Sequence, residues 1–104
     1  MTAQLVLTTC PDELVAKTIA QHLVKEKLAT CVNIINNISS IYSWEDKLYC
    51  DNEVQLLIKT THEKFESLNE SINELHPYDV VEVIALNIQQ GDQHYLNWIT
   101  TSLQ

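Results

Sequence analysis

Apolar positions crowd the middle third of the chain, where Cys31 to Trp44 and Lys47 to Thr61 form two patterned stretches joined by the short link Glu45-Asp46. As strands rising about 3.3 Å per residue, each would run roughly 45 Å, against a radius of gyration of about 13 Å for a domain of this size. Such a hairpin must protrude or find a partner. Open edges on an apolar ribbon invite pairing with another chain, so the pattern predicts an oligomer. In the first stretch Val32, Ile34, Ile38, Tyr42 and Trp44 share parity, and Asn36-Asn37 interrupts the alternation as a bulge or bend would. In the second, Val54, Leu56 and Ile58 face one way while Glu53, Gln55 and Lys59 alternate with them, the signature of a half-buried antiparallel strand. Leu57 departs from that alternation.

The flanking segments supply the other elements. Ala3 to Thr9, with Leu5, Val6 and Leu7 consecutive, reads as a strand covered on both faces in the middle of a sheet. Pro11 suits a first helical turn, and Asp12-Glu13 favour the positive end of the helix dipole. Ala16, Ile19, Ala20, Leu23 and Val24 form one apolar stripe opposed by Lys17, Gln21 and Lys25, predicting a helix that ends near Leu28. Thr60-x-x-Glu63 has the form of a capping box. Phe65, Leu68, Ile72 and Leu75 then give a second amphipathic helix, stopped at His76 by Pro77. Val80 to Gln89 reads as a strand, and Asp92 to Leu103 as a short terminal helix after Gly91. The order β-α-β-β-α-β plus a terminal helix predicts a single α+β domain over residues 1–104 of the ferredoxin-like, split βαβ class. This is an antiparallel four-stranded sheet with both main helices on one face. The terminal helix and neighbouring subunits are left to cover the other face, which a dimer or a trimer would satisfy.

Composition narrows the function. The 104 residues carry a formal charge of −8, which opposes approach to phosphate backbones and anionic membranes, so neither nucleic acid nor membrane is an expected partner. No apolar run approaches the ~20 residues of a spanning helix, and no basic region precedes Leu5-Val6-Leu7 as a signal peptide requires. The expected compartment is the cytoplasm. Cys10, Cys31 and Cys50 are an odd set without C-x-x-C spacing, which argues against a disulfide framework, and Cys31 reads as a small buried hydrophobe. A single glycine leaves no phosphate-cradling loop or dinucleotide turn, and G-x-S-x-G is absent. The chain is therefore not expected to be an enzyme. A Cys10–His76 nucleophile pair lacks a visible orienting group.

Two constellations remain. His76, before a Pro-Tyr turn, with Glu82 and the soft ligand Cys10, could hold copper, and a helix start beside Cys10 would lower its thiol pKa. The competing readings are a helix C-cap for His76 and an ordinary turn cysteine for Cys10. His22, His62 and His94 read as solvated. The second constellation is polar and aromatic. A charged Lys59 on an apolar strand calls for a carboxylate or a ligand anion, so Lys59, Tyr78 and Glu82 are candidates for an intersubunit ligand cleft, unless Lys59 snorkels to solvent. Tyr42, Trp44, Tyr95 and Trp98 read as interface anchors.

Thr8-Thr9-Cys10-Pro11-Asp12-Glu13, Leu28-Ala29-Thr30-Cys31-Val32-Asn33-Ile34, Ser40-Ile41-Tyr42-Ser43-Trp44, Leu57-Ile58-Lys59-Thr60 and Leu75-His76-Pro77-Tyr78-Asp79, in that order and followed by Tyr95-x-x-Trp98, resemble the CutA divalent-cation tolerance family. The resemblance implies a cytoplasmic homotrimer of ferredoxin-like subunits with interlocking hairpins, linked to copper tolerance and Cu(II) binding and without enzymatic activity. Its trimer is similar to the PII-type signalling proteins, which hold small ligands between subunits and supply the alternative function of a ligand sensor or scaffold. The chain departs from the family at Asn36-Asn37, where Pro-Gly is frequent, and at Val81, where Pro commonly precedes the glutamate. A copper-linked cysteine of the family aligns with Thr8 rather than Cys10, and of an adjacent histidine pair only His76 is matched, after Leu75. Copper ligation is not carried over intact.

Overall fold

In the computed structural model, which describes residues 2–104, the chain order is β1 (Ala3–Cys10), α1 (Glu13–Lys25), β2 (Cys31–Trp44), β3 (Lys47–Thr61), a 3-10 turn (His62–Lys64), α2 (Phe65–Leu75), β4 (Ile84–Asn87) and α3 (Gln93–Ser102). The strands form one sheet in the order β2-β3-β1-β4, and every neighbouring pair is antiparallel. This is the ferredoxin-like α+β arrangement, with β1 internal as its run of apolar residues predicts.

The alternation along β1 and β3 divides the sheet into two unlike faces. Val6, Cys10, Leu56 and Ile58 are buried with Ala16, Ile19 and Leu23 of α1 and Leu68 and Ile72 of α2, which together make the main core. On the opposite face Leu5, Leu7 and Leu57 are only half buried, and Leu86 and Ile84, paired with Leu5 and Leu7, are exposed. Leu57 breaks the polar alternation because this second face is itself apolar. The terminal helix α3 covers one end of that face, over Ala3 and Ile88, and leaves the rest open. Its Ile99 and Leu103 join Ala3 in a small second core, and Thr30 is tied to it by hydrogen bonds to Ile99 O at 3.2 Å and Ser102 Oγ at 2.8 Å.

The hairpin spans the residues expected. Glu45 and Asp46 both take positive φ, 49° and 63°, the combination that a tight two-residue hairpin turn demands. β1 pairs with β3 only from Val54 to Thr61, whereas β2 pairs with β3 out to Trp44 and Lys47. The outer half of the hairpin is thus a two-stranded ribbon beyond the sheet, and the molecule measures 44 Å along its long axis against 25 and 22 Å across. The register slips between Ile35 and Ile38, where Asn37 sits at φ 61°. The Asn-Asn interruption is a bulge, placed where the ribbon leaves the sheet.

Four expectations shift. α1 stops at Lys25 because Lys27 turns left-handed at φ 57°, and the amides of Leu28 and Ala29 both fold back onto Leu23 O. No capping box forms. β3 continues through Thr61, and Thr60 Oγ1 donates to Leu28 O at 2.7 Å, so the hydroxyl that would cap α2 ties β3 to the turn after α1. The strand expected over 80–89 contracts to Ile84–Asn87, since only these residues pair with β1. Cys31 is half buried rather than buried, because it faces the open side of the sheet.

Ile58 is fully buried between sheet and helices. Ile58→Ala is expected to cost about 2–5 kcal/mol of unfolding free energy, read from the midpoint of urea denaturation. A loss under ~1 kcal/mol would show that this face is not the close-packed core.

Candidate functional site

Where the ribbon leaves the sheet, the end of α2 meets the end of β1. Pro77 forces the residue before it into an extended conformation, and His76 accordingly closes α2 at φ −90°, ψ 137°, while its amide still reaches Ile72 O. The imidazole is buried. Nε2 donates to Thr9 O at 2.7 Å, and Nδ1 accepts the Tyr78 N–H at 3.2 Å, so the two bonds define a neutral ring protonated on Nε2. His76 is the C-cap of its helix by backbone position, but its ring fastens α2 to β1 instead of meeting the helix carbonyls.

Tyr78 extends the contact to the hairpin. Its ring lies 4.6 Å from that of His76, and its hydroxyl donates to Oε2 of the buried Glu53 at 3.0 Å. Burial first, then the bond to Glu53, pushes the phenol above its ordinary range. The same carboxylate acts on Cys10. Burial is the largest cause, with Glu53 and Asp12 adding negative potential, and the thiol is pushed up to about 12. The lowered pKa expected at this helix start is corrected by that burial, since the side chain points into the core, away from the amides of α1.

Outward from this junction lies a groove of about 850 Å³ between the ribbon and the 77–82 segment, lined by Tyr42, Trp44, Tyr49, Tyr78, Val81 and Glu82 among others. It holds the carboxylates of Glu53, Asp79 and Glu82 and no lysine or histidine. Tyr42 stacks on Tyr49 with ring centroids 5.5 Å apart and donates to Asp51. That hydrogen bond is the main reason its phenol is raised to about 12. The groove is aromatic and acidic.

Lys59 is not part of it. The register places Lys59 beside Leu5 and Cys31, and Thr9 of the groove beside Gln55, about 13 Å further along β3 at the usual strand rise. Lys59 Nζ donates to Asn33 Oδ1 and lies 3.9 Å from Cys31 Sγ. Within one chain Lys59 and Glu82 stand apart, because Glu82 lies two residues before β4, at the other end of the open face. The only ion pair among the described residues is Lys17–Glu13 on α1. Tyr95 and Trp98 pack together on α3, ring centroids 5.6 Å apart, and both remain exposed, as do Tyr42 and Trp44.

Of the three expected metal donors, His76 and Cys10 are committed elsewhere. Both nitrogens of His76 are in use, the Cys10 thiol holds its proton, and Glu82 is exposed. Among the described residues no three His, Cys, Asp or Glu side chains converge to hold a metal ion. Sequence reasoning missed Glu53 as the hub of the junction, although an acidic residue alternating with Val54 and Leu56 carries the same signal that singled out Lys59.

Comparison with known proteins points in one direction. The family described as CutA1 divalent ion tolerance protein matches residues 4–102. The chain is 53% identical over 91 residues to Protein CutA homolog from Xenopus laevis, covering 88% of this chain and 60% of that one. It is 48% identical over 96 residues to the divalent-cation tolerance protein CutA of Thermus thermophilus, covering 92% and 93%. The crystal structure of CutA1 from Oryza sativa superposes with a TM-score of 0.96 at 40% identity, covering 100% of this chain and 95% of that one. No helix among the described residues is long and apolar enough to cross a membrane.

The state of Cys10 has a pH signature. Below its ordinary value of 9.0 the thiol is protonated in both folded and unfolded chains, and its contribution to stability is complete. Between there and about 12 only the unfolded chain ionises, so stability falls as pH rises, by about 1.4 kcal/mol per pH unit at most. Urea midpoints of wild type and Cys10→Ala from pH 8 to 11 should diverge in slope, the variant falling less steeply. Parallel curves would show the thiol to be less shielded than the structure places it.

Proposed function

The chain belongs to the CutA1 divalent ion tolerance family, and on that premise we propose that it acts as a homotrimer that takes up copper(II). Membership places it among tolerance proteins rather than enzymes. The trimer follows from the family, and the observation that supports association is the unfinished sheet. Beyond Val54 the ribbon has no third strand, its Ile41 and Leu48 are 71% and 80% exposed, and the face bearing Leu5, Leu7, Leu57, Ile84 and Leu86 is covered by α3 at its Ala3 end alone. A two-stranded ribbon is marginal alone in water, and neighbouring copies laid against ribbon and face supply what is missing. Tyr42, Trp44, Tyr95 and Trp98, exposed in one chain, are the aromatic anchors of that contact. The cytoplasm, as expected from the sequence, is the compartment this proposal assigns.

Copper is held through Glu82 and through the His76 imidazole once the ring gives up one of its two backbone partners. That exchange costs a buried hydrogen bond, so binding is modest. Cys10 contributes little as long as its proton is retained, since only the thiolate is a good ligand.

A second reading rests on Lys59, a cation on the half-buried face whose partners are the neutral Asn33 and Cys31. In that reading an intersubunit cleft of Lys59, Tyr78 and Glu82 holds a small anion, as in a PII-like sensor or scaffold. Its mark is thermal stabilisation by a metabolite anion that Lys59→Ala abolishes without touching copper affinity.

Two measurements test the main reading. Light scattering should return three times the 11.9 kDa chain mass, and Trp44→Ala should lower the urea concentration at which that mass is lost. A monomeric wild type would reject the trimer. Copper titration against a competing chelator should saturate at a fixed ratio per subunit, weakened at least tenfold, about 1.4 kcal/mol, by His76→Ala or Glu82→Gln and unchanged by Cys10→Ser. Non-stoichiometric binding indifferent to all three would reject this metal site.

A further inference from the structure

Two unmatched charges lie at opposite ends of the open sheet face. Lys59 belongs to the row of Leu5 and Leu86, with Cys31 on its other side. Of the chain's lysines, 17, 25 and 27 lie on α1 or the turn after it, 64 precedes α2 and 47 is at the hairpin tip, which leaves Lys59 the one cation placed on the body of this face. It is half buried beside Leu5, Leu57 and Cys31, and its hydrogen-bond partners are neutral. At the far end, beyond Ile84, the groove presents Glu53, Asp79 and Glu82 and no basic residue. Glu53 already accepts from Tyr78, whereas Glu82 is exposed and has no cationic partner among the described residues.

Covering this face with a second apolar surface removes the water that now solvates Lys59. An ammonium ion buried against neutral partners is costly, and one facing a carboxylate is not. The two sites are two residue rows and two strands apart within one chain, too far to meet, so only another copy can join them. We propose that the oligomer is locked in register by an ion pair between Lys59 of one subunit and Glu82 of the partner subunit, seated at the mouth of the aromatic groove. The inference rests on the assembly reading above. In the proposed trimer the contact is head to tail, the cation of one copy meeting the anion of the next around the ring. Its role is selection: like charges brought together in a shifted register repel, so the pair specifies one arrangement of an otherwise non-directional apolar contact.

The test is charge exchange. Oligomer mass is followed by light scattering in rising urea for wild type, K59E, E82K and the double exchange K59E/E82K, with far-ultraviolet dichroism reporting the fold of each. The pair requires each single reversal to raise the dissociation constant at least tenfold and the double exchange to recover most of that loss. Should a single reversal fail to fold, the isosteric Lys59→Met and Glu82→Gln replace it, and each should weaken assembly no less than the two together. A wild-type monomer would overturn the assembly reading itself. A wild-type oligomer unmoved by the single reversals, or weakened by both and not restored by their combination, would overturn the pair alone. Weakening by Lys59→Met with none by Glu82→Gln would also overturn it and would give Lys59 to an anion from solution.

Discussion

The structure depends on a mismatch of lengths. β2 and β3 are 14 and 15 residues long, while β1, the one strand beside them, has 8 and β4 beyond it has 4. Backbone hydrogen bonds on the outer ribbon are satisfied on one side of each strand only, and its side chains have no second layer to pack against. Several features gather at the boundary this creates. The bulge at Asn37 lies there, as do the His76 clamp and the Tyr78–Glu53 bond. These contacts join β1, β3 and the end of α2 where the sheet stops supporting the ribbon.

That junction also explains why a fold rich in potential metal donors holds them in reserve. A buried imidazole must satisfy both nitrogens, and here the backbone of Thr9 and Tyr78 does so. A buried thiol beside a buried carboxylate keeps its proton. The polar groups at the junction serve the geometry of the hairpin first. In the proposed copper site an entering cation would compete with these structural hydrogen bonds.

The hairpin was legible from sequence because alternation is local: parity along 31–44 and 47–61 and the turn at Glu45-Asp46 need no knowledge of the rest of the chain. The order of elements and the placement of β1 followed for the same reason. Pairing across distance was not legible. Thr60 looked like a cap because Glu63 follows it, yet its hydroxyl goes to Leu28, 32 residues earlier. The β4 segment reads as a longer strand, and β1 decides how much of it pairs. Cys10 sits beside a helix start in sequence while its side chain points into the core, so the expected effect of the helix gives way to desolvation. Lys59 and Glu82 were both noticed as charges that need partners, and only the register showed that they cannot serve each other within one chain. The family resemblance carried fold and family membership across these gaps, since five motifs in order constrain topology even where individual contacts are unreadable.

The unequal strands also shape how the chain reaches this state. The β2–β3 hairpin closes a loop of two residues and can form early, because local contacts require little loop-closure entropy. The β1–β4 pairing, by contrast, joins Gln4 to Asn87 and must wait for nearly the whole chain. During that interval the ribbon exists as an exposed apolar hairpin with free edges, the species most prone to wrong association. In the proposed assembly, folding and association become one kinetic problem: protein concentration would speed the capture of the ribbon by a second copy and equally speed its errors.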